Sequence, residues 1–568
     1  MTSRHNPLVD YLNSLRTQDG ASNPNYVEEN RPDYLQRLRA EYPWFPTEAQ
    51  LRVRTKISSL VAAMSQPAFP LDLVILTGDA GDGKTAACVD FAGQAGVERP
   101  LQPVDSAGGW QIIKDASENP KEDLIAALKA ARAGGGTRLL VAINEGRLRR
   151  LRSAPVLADV WTPVIEPALS AWIDAAAASE LDAAMRAHRI GVINFRHRMH
   201  VRTVAPSLYT TWTPPAYWED GPCARCPARD RCPILTNVRS LRSRTTGERI
   251  ADVIAMAHFS GQRLPFRRLQ GVLAFTVTGG LGCAVVINGR PPQLGDRYYS
   301  LLFQREARGE TRPEPIARVL APADPGLGTD PAVDARVAAW LSGDPASPLP
   351  AFERDALTAG TESDKNTRAL RRYDALSGPQ TADATWRRAL ELLERYALLG
   401  EAEPLCNVVV AGLNALHRAE SRIVSNITRK QIEPAAFRDP ARASLELDLG
   451  TNFSAHLTRG PVLPELVAGW LESCPSDIDL IAWPNHEDRP ARPARLRLDA
   501  RLVSVLIDVD AGYHFLPALG AYRREIARFH AHLLSLVRPS EVSVTLRSGP
   551  RAWTIKAAGN KIRLDAGE

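Results

Sequence analysis

The sequence is short of aromatic residues and of net charge. Phe, Trp and Tyr make up 6% of its 568 residues, and 70 Lys and Arg against 64 Asp and Glu leave a formal charge of only +6. So even a balance produces no surface-wide field for a phosphate backbone, and any nucleic-acid contact has to come from local arginine clusters. Unbroken apolar runs of the ~20 residues that a membrane span needs are lacking. No apolar segment follows Met1-Thr2-Ser3-Arg4-His5-Asn6, so no secretion signal is expected and a cytoplasmic location is the default. Cysteine is sparse, and Cys88, Cys283, Cys406 and Cys474 are scattered among mostly apolar neighbours, where they read as small buried hydrophobes. A nuclease-type Asp/Glu/Lys cluster is missing too: Glu472, Asp477 and Asp479 read as surface turns. Internal repeats are absent. With 44% apolar and 24% charged residues the composition is globular, and the length predicts two to four domains.

What the sequence does have is Gly78-Asp79-Ala80-Gly81-Asp82-Gly83-Lys84-Thr85. An apolar run at 71–76 precedes it and a helical pattern follows. Strand, glycine loop and helix form the context in which G-x-x-x-x-G-K-[ST] is a phosphate site. The glycines let successive N–H groups turn toward the β-phosphate of ATP, Lys84 reaches the β- and γ-phosphates, and Thr85 ligates Mg²⁺ through its hydroxyl. The helix start adds its positive end. Asp79 and Asp82 are acids in an anion-binding loop and are expected to point outward.

Further buried strands are expected at 110–114, 138–143 and 190–195. Helices are expected from Thr47 to about residue 64, over 121–131, and across most of 156–189 with breaks near Pro163 and Pro167. This alternation predicts a parallel sheet covered on both faces. Residues 247–280 read as helical, stopped by Gly279-Gly280. Alternating segments such as Arg495-Leu496-Arg497-Leu498 predict an α+β region that ends in a hairpin around Ser548-Gly549-Pro550. The expected fold class is α/β: a P-loop NTPase parallel sheet with a helical lid, plus a C-terminal α+β domain. The expected divisions are an N-terminal extension (1–66), an ATPase core (67–245) with a cysteine-containing insertion at 221–234, a helical lid and linker (246–440), and the C-terminal domain (441–568).

Hydrolysis also requires a carboxylate at the end of a second strand. Ala142-Ile143-Asn144-Glu145 offers Glu145 to orient water, while Asn144 stands where an Asp is expected and can hold only Mg²⁺-bound water. Asn194, at the end of the next strand, is a candidate for touching the γ-phosphate, and Arg196 and Arg198 follow it. Arg267 or Arg268, opening the helix after Pro265, is placed to reach back onto the triphosphate. Arg239 and Arg242 are weaker candidates for a finger toward a neighbouring subunit.

The order of these features resembles that of AAA+ and STAND-type ATPases over residues 68–290. The resemblance implies nucleotide grip at the loop, hydrolysis at Glu145, γ-phosphate sensing at Asn194 and lid coupling through Arg267/Arg268.

Between the expected core and lid lies Cys223-Ala224-Arg225-Cys226-Pro227-Ala228-Arg229-Asp230-Arg231-Cys232. The two-residue spacing lets Cys223 and Cys226 face one metal, with Cys232 as a third ligand. No fourth cysteine is near in sequence, so His197, His200 or a residue from elsewhere would complete a Zn²⁺ site. Packed free thiols and an iron–sulfur cluster are the alternatives. The arginines here also suit a braced basic knuckle against nucleic acid.

Taken together, T-G-D-A-G-D-G-K-T, I-N-E-G, I-N-F-R and C-x-x-C-P-x-R-D-x-C-P-I resemble the ATPase component of bacterial phosphorothioation-dependent DNA restriction systems. This likeness implies an ATPase coupling nucleotide binding and hydrolysis to a DNA-acting anti-phage assembly. Its partners would be nuclease or helicase-like subunits, DNA and further copies of itself, without a membrane. The alternative is a slowly hydrolysing, nucleotide-gated scaffold or sensor without direct DNA contact.

Overall fold

The computed structural model describes residues 5–567 apart from 16–30, 52, 98–100, 134–135, 200, 290, 292, 304–319, 321–322, 328–330, 360–362, 378–384, 421–422, 426–429, 433–443, 449–452, 485–491, 514–516, 537–542, 549–550 and 559–560. The chain divides into two compact units. One comprises Met1–His258, Gln262–Thr381 and Val462–Ser473; the other comprises Phe259–Gly261, Ala382–Pro461 and Cys474–Glu568. Val462–Ser473, which the sequence reading assigns to the C-terminal domain, thus belongs to the first unit.

The first unit is an α/β structure on five strands: β1 (Leu73–Gly78), β2 (Val104–Ala107), β3 (Trp110–Ile113), β4 (Arg138–Asn144) and β5 (Ile190–Asn194). Their order is β2-β3-β4-β1-β5. β3, β4, β1 and β5 are parallel, but β2 runs antiparallel to β3, so the expected parallel sheet is a mixed one. β2 escapes a sequence reading because it is an edge strand, Val-Asp-Ser-Ala, with its first three residues partly or fully exposed. Gly108 and Gly109, both at positive φ, make the tight turn into β3.

Every residue of β1 is buried, as are Leu139–Ile143 of β4. Strands covered on both faces need continuous apolar runs, and each Leu, Ile or Val so buried stabilises by about 1.5–3 kcal/mol. The sheet is covered by α2 (Ile57–Met64), α3 (Lys84–Gln94), α4 (Lys121–Arg132) and α5 (Ala175–His188), whereas α1 (Pro7–Ser14), α6 (Val201–Trp212), α7 (Pro233–Leu241), α8 (Arg244–Phe259), α9 (Phe266–Thr278) and α10 (Cys283–Ile287) lie outside the core packed on the strands. The core takes Leu60 from α2, Phe91 from α3, Leu128 from α4 and Leu181 from α5, together with Leu466, Val467 and Leu471 from the returning segment. The helix expected from Thr47 onward does begin with a reciprocal cap, Gln50 N–H on Thr47 Oγ1 and Thr47 N–H on Gln50 Oε1. It stops at Leu51, however, and resumes only at Ile57.

One apolar stretch is longer than the sequence reading allows. Phe266–Ile287 spans 22 residues, and its most apolar 18-residue window has a mean hydropathy of 1.7, enough by length and composition to cross a membrane. It comprises α9 and α10 interrupted at Gly279-Gly280, and 67% of its most apolar window is buried inside the protein.

The second unit has α+β structure. It contains helices α11 (Thr385–Leu399), α12 (Ala402–Glu420), α13 (Ala500–Asp510) and α14 (Pro517–Ser535), and strands β6 (Ser444–Asp448), β7 (Phe453–Gly460), β8 (Asp477–Pro484), β9 (Ala494–Leu498), β10 (Ser543–Ser548), β11 (Arg551–Ala558) and β12 (Lys561–Gly567). These strands form two antiparallel sheets, β9-β8-β7 and β12-β11-β10-β6. The expected final hairpin pairs Ser548 with Arg551, and its turn residues Gly549 and Pro550 lie outside the described residues. Asp479 is no surface turn: it sits in β8, 5% exposed, 3.6 Å from Arg495.

Candidate functional site

Parallel pairing brings the C-terminal ends of the central strands to one edge. Gly78 is opposite Asn144, Thr77 opposite Asn194, and Ile113 opposite Val141. In open α/β sheets this edge is where ligands bind. The glycine loop rises from it between β1 and α3. Gly78, Gly81 and Gly83 all have positive φ. Gly81 is also crowded, since an added Cβ would lie 3.2 Å from Arg267 Cβ. The first turn of α3 receives no side-chain cap from Gly83, so its leading N–H groups remain available to an anion.

Lys84 is 8% exposed, and its ammonium donates to Gly78 O at 3.3 Å and Asp79 O at 2.6 Å. Burial pushes its pKa down, while Asp82, Asp115 and Asp79 pull it back up; the balance stays below the usual lysine value. Asp82 contradicts the expectation that the loop acids point outward. It is 3% exposed and turns back under the loop, where it accepts from the Asp79 N–H at 2.7 Å and from Arg263 Nη2 at 2.8 Å. The physical reason is closure of the loop: a carboxylate facing inward ties the turn across its base, and a cation beside it removes the repulsion toward a phosphate. Burial still raises the Asp82 carboxyl, against Arg263. Asp79 does reach solvent, with Arg263 Nη1 2.7 Å away.

Arg263 is a residue that the sequence reading missed. It precedes α9 and also donates to Phe195 O at 2.6 Å, so one guanidinium joins both loop acids to the exit of β5. Arg198, 6% exposed, is a second brace. It donates to Asp82 O at 3.4 Å and to Glu472 Oε2 at 3.2 Å, and its guanidinium lies over the rings of Phe195 and Phe266. Glu472, read from sequence as a surface turn, is therefore a buried partner on the returning segment.

A cleft of about 190 Å³ opens beside the loop. Lys84, Thr85, Asn144 and Arg267 line it, together with Lys114 and Asp115. The last two follow directly on β3 and are the second omission from the sequence reading, which treated that strand as structural. Asp115 also caps the next turn by accepting from Ser117 N–H at 2.8 Å. Arg267 donates its backbone N–H to Gly81 O at 3.0 Å, so the N-terminus of α9 is fastened to the loop. Arg268 does not line the cleft. Three cations against one carboxylate give the cleft a positive balance suited to a polyphosphate.

Glu145 is not among the cleft residues. As the first residue of a short helix, Glu145–Arg150, it pairs with Arg149 Nε at 2.8 Å and with Arg196 Nη1 at 3.0 Å. Burial pushes its carboxyl up, but the two guanidiniums outweigh this and leave it lowered. Asn144, one residue earlier, is exposed and does line the cleft. Asn194 does not. It is 3% exposed, with Oδ1 accepting from Arg196 N–H at 3.1 Å and Nδ2 within 3.2 Å of Ala168 O and 3.3 Å of His197 Nε2. In this arrangement it holds the turn after β5. Arg239 and Arg242 both pair with Glu219 of the same chain, at 2.6 Å and 2.8 Å.

The turn after β5 should respond to acid. Burial lowers the His197 imidazole to about 4, against about 6.5 in an unfolded chain. Between these values the unfolded chain binds the proton more readily. The contribution of His197 to stability is thus complete above pH ~6.5 and is lost as pH falls toward 4, about 3 kcal/mol in all. The thermal midpoint of the protein should fall over that window and His197→Gln should flatten the fall; an unchanged slope in the variant would refute this origin.

Cys223, Cys226 and Cys232 surround a small apolar void, and the fourth cysteine on its wall is Cys283, from the start of α10. The expectation of a scattered Cys283 is thereby corrected. His197 is engaged at the β5 exit instead, and His200 lies outside the described residues.

No protein-family model, curated protein or solved structure was found to match the chain.

Proposed function

We propose that the chain is a P-loop ATPase that binds a nucleoside triphosphate in the cleft beside Gly78–Thr85 and hydrolyses it slowly. The observation that carries this reading is the convergence of Lys84, Thr85, Asp115, Asn144 and Arg267 on one cleft, at the strand edge where the glycine loop begins. The terminal phosphates would exchange the carbonyl oxygens of Gly78 and Asp79 for their own as acceptors of the Lys84 ammonium. Arg267 would add a charge from α9, and Asn144 a neutral donor or acceptor for water. Thr85 and Asp115 are the residues that fit a magnesium ion accompanying the nucleotide, since both face the cleft and Asp115 acts electrostatically on Lys84. When bound, that ion supplies charge neutralisation for the developing phosphoryl oxygens. Glu145, locked between two arginines, supports Arg196 and the loop rather than a water molecule.

Turnover distinguishes the two carboxylates. Asp115→Asn should lower ATP hydrolysis by about 10²-fold or more, whereas Glu145→Gln should retain most of it. Were Glu145 the residue that orients the attacking water, Glu145→Gln would trap the triphosphate. If that variant binds ATP but does not turn over, while Asp115→Asn does, the assignment reverses.

We further propose, on the resemblance to restriction ATPases, that this cycle drives or gates a DNA-acting defence assembly. DNA carrying phosphorothioate linkages, unmodified DNA and no DNA should then give different turnover rates. Identical rates in all three would favour the second reading, a nucleotide-gated scaffold or sensor. That reading is supported by the engagement of both Glu145 oxygens, which leaves Asp115 as the one carboxylate among the described residues lining the cleft.

A further inference from the structure

Four cysteines from two stretches of the chain line a single void of about 20 Å³ whose remaining wall, including Val9 and Ile234, is apolar. We propose that Cys223, Cys226, Cys232 and Cys283 form a tetrahedral four-thiolate site for one zinc ion. That ion would join the 221–234 excursion to α10.

Three independent features support the site. The first is size. A void of about one water-sized sphere suits a single ion with ~2.3 Å bonds to sulfur, not a multi-iron cluster. The second is the supply of donors. Asn6 donates its side-chain amide to Cys223 Sγ at 3.6 Å, and Leu235 N–H reaches Cys232 Sγ at 3.5 Å at the start of α7. Metal-bound sulfurs carry such outer hydrogen bonds, and an apolar pocket of neutral thiols has little need of them. The third is local geometry. Cys226 N–H donates to Cys223 O at 3.2 Å and Arg229 N–H to Cys226 O at 3.1 Å, which is the tight turn that a C-x-x-C pair needs to face one ion.

All seven cysteines are unpaired as disulfides. As the side chains stand, no three His, Cys, Asp or Glu among the described residues are arranged to hold a metal. Binding therefore requires the thiols to turn into the void they line. The site would also fix the far end of the α9–α10 stretch, whose near end fastens Arg267 to Gly81.

Full-length protein purified without chelator should contain about one zinc per chain. Cys283→Ser should lower that content at least about tenfold, and Cys406→Ser, on α12 of the second unit, should leave it unchanged. Full zinc content in folded Cys283→Ser overturns the four-cysteine set. If Cys283→Ser does not fold, cobalt(II) exchanged into the wild type decides the matter, because four thiolates give intense sulfur-to-cobalt charge transfer with tetrahedral d–d bands. A reduced wild type that takes up neither zinc nor cobalt, an iron–sulfide chromophore, or a Cys–Cys bond found by mass spectrometry each overturns the proposal. None of these measurements involves nucleotide, so their failure leaves the ATPase reading standing.

Discussion

Lys84→Ala should weaken MgATP binding by about 10- to 150-fold, the equivalent of losing one charge-assisted hydrogen-bonding group at about 1.5–3 kcal/mol. Turnover should fall further, by about 10²–10³-fold, because the ammonium is worth most where charge develops. Stability should move the other way or not at all. Lys84 is buried, its partners are two backbone carbonyls, and burial already drives its pKa below the ordinary lysine value. A cation desolvated without a carboxylate in direct contact is a cost that the native state bears, as expected of a group held for ligand binding. Titration calorimetry and thermal unfolding on the same preparation test both halves. Wild-type affinity in the variant would remove the glycine loop from nucleotide binding. A large drop in thermal midpoint would make Lys84 a structural residue.

Arg198→Ala should do the reverse and damage the fold. Its side chain is 4% exposed and faces Glu472, 8% exposed, with the guanidinium over the rings of Phe195 and Phe266. Removing one partner of a buried ion pair leaves the other charge stranded, at a cost of about 3–5 kcal/mol. Glu472 would retain only the Lys56 backbone N–H, and Val462–Ser473 would lose its polar tie to the loop. Replacing both, as Arg198→Met with Glu472→Leu, should restore much of that loss, because the apolar pair needs no desolvation of charge. Denaturant unfolding with calorimetry resolves the first unit from the second. A loss under about 1 kcal/mol in Arg198→Ala would mean that the pair is relaxed by water and does not brace the loop.

Much of the first unit could be read along the chain. The central strands are continuous apolar runs because both faces are covered, and four of the five were placed within a residue or two. The glycine loop was legible for a different reason: it is set by backbone conformation and by residues only a few positions apart. β2 was not legible, since an exposed edge strand has no burial pattern to write into its sequence.

The site residues divide the same way. Asn144 and Glu145 are neighbours, yet one lines the cleft and the other turns to Arg149 and Arg196. Asp115 looked like the end of an ordinary strand until β3 was seen two places from β1 on the same edge. Cys283 is 51 positions beyond Cys232 and reaches its neighbours only through the packing of α9 and α10. Sequence by itself determined the loop, its lysine and threonine, the alternation of strands and helices, and the C-x-x-C turn, because each is set by local backbone geometry and short spacings. The tertiary structure alone decided which carboxylate faces the lysine, which arginines neutralise the loop acids and which cysteine completes the four. Those choices depend on contacts between distant stretches, and burial selects them with no trace in local spacing.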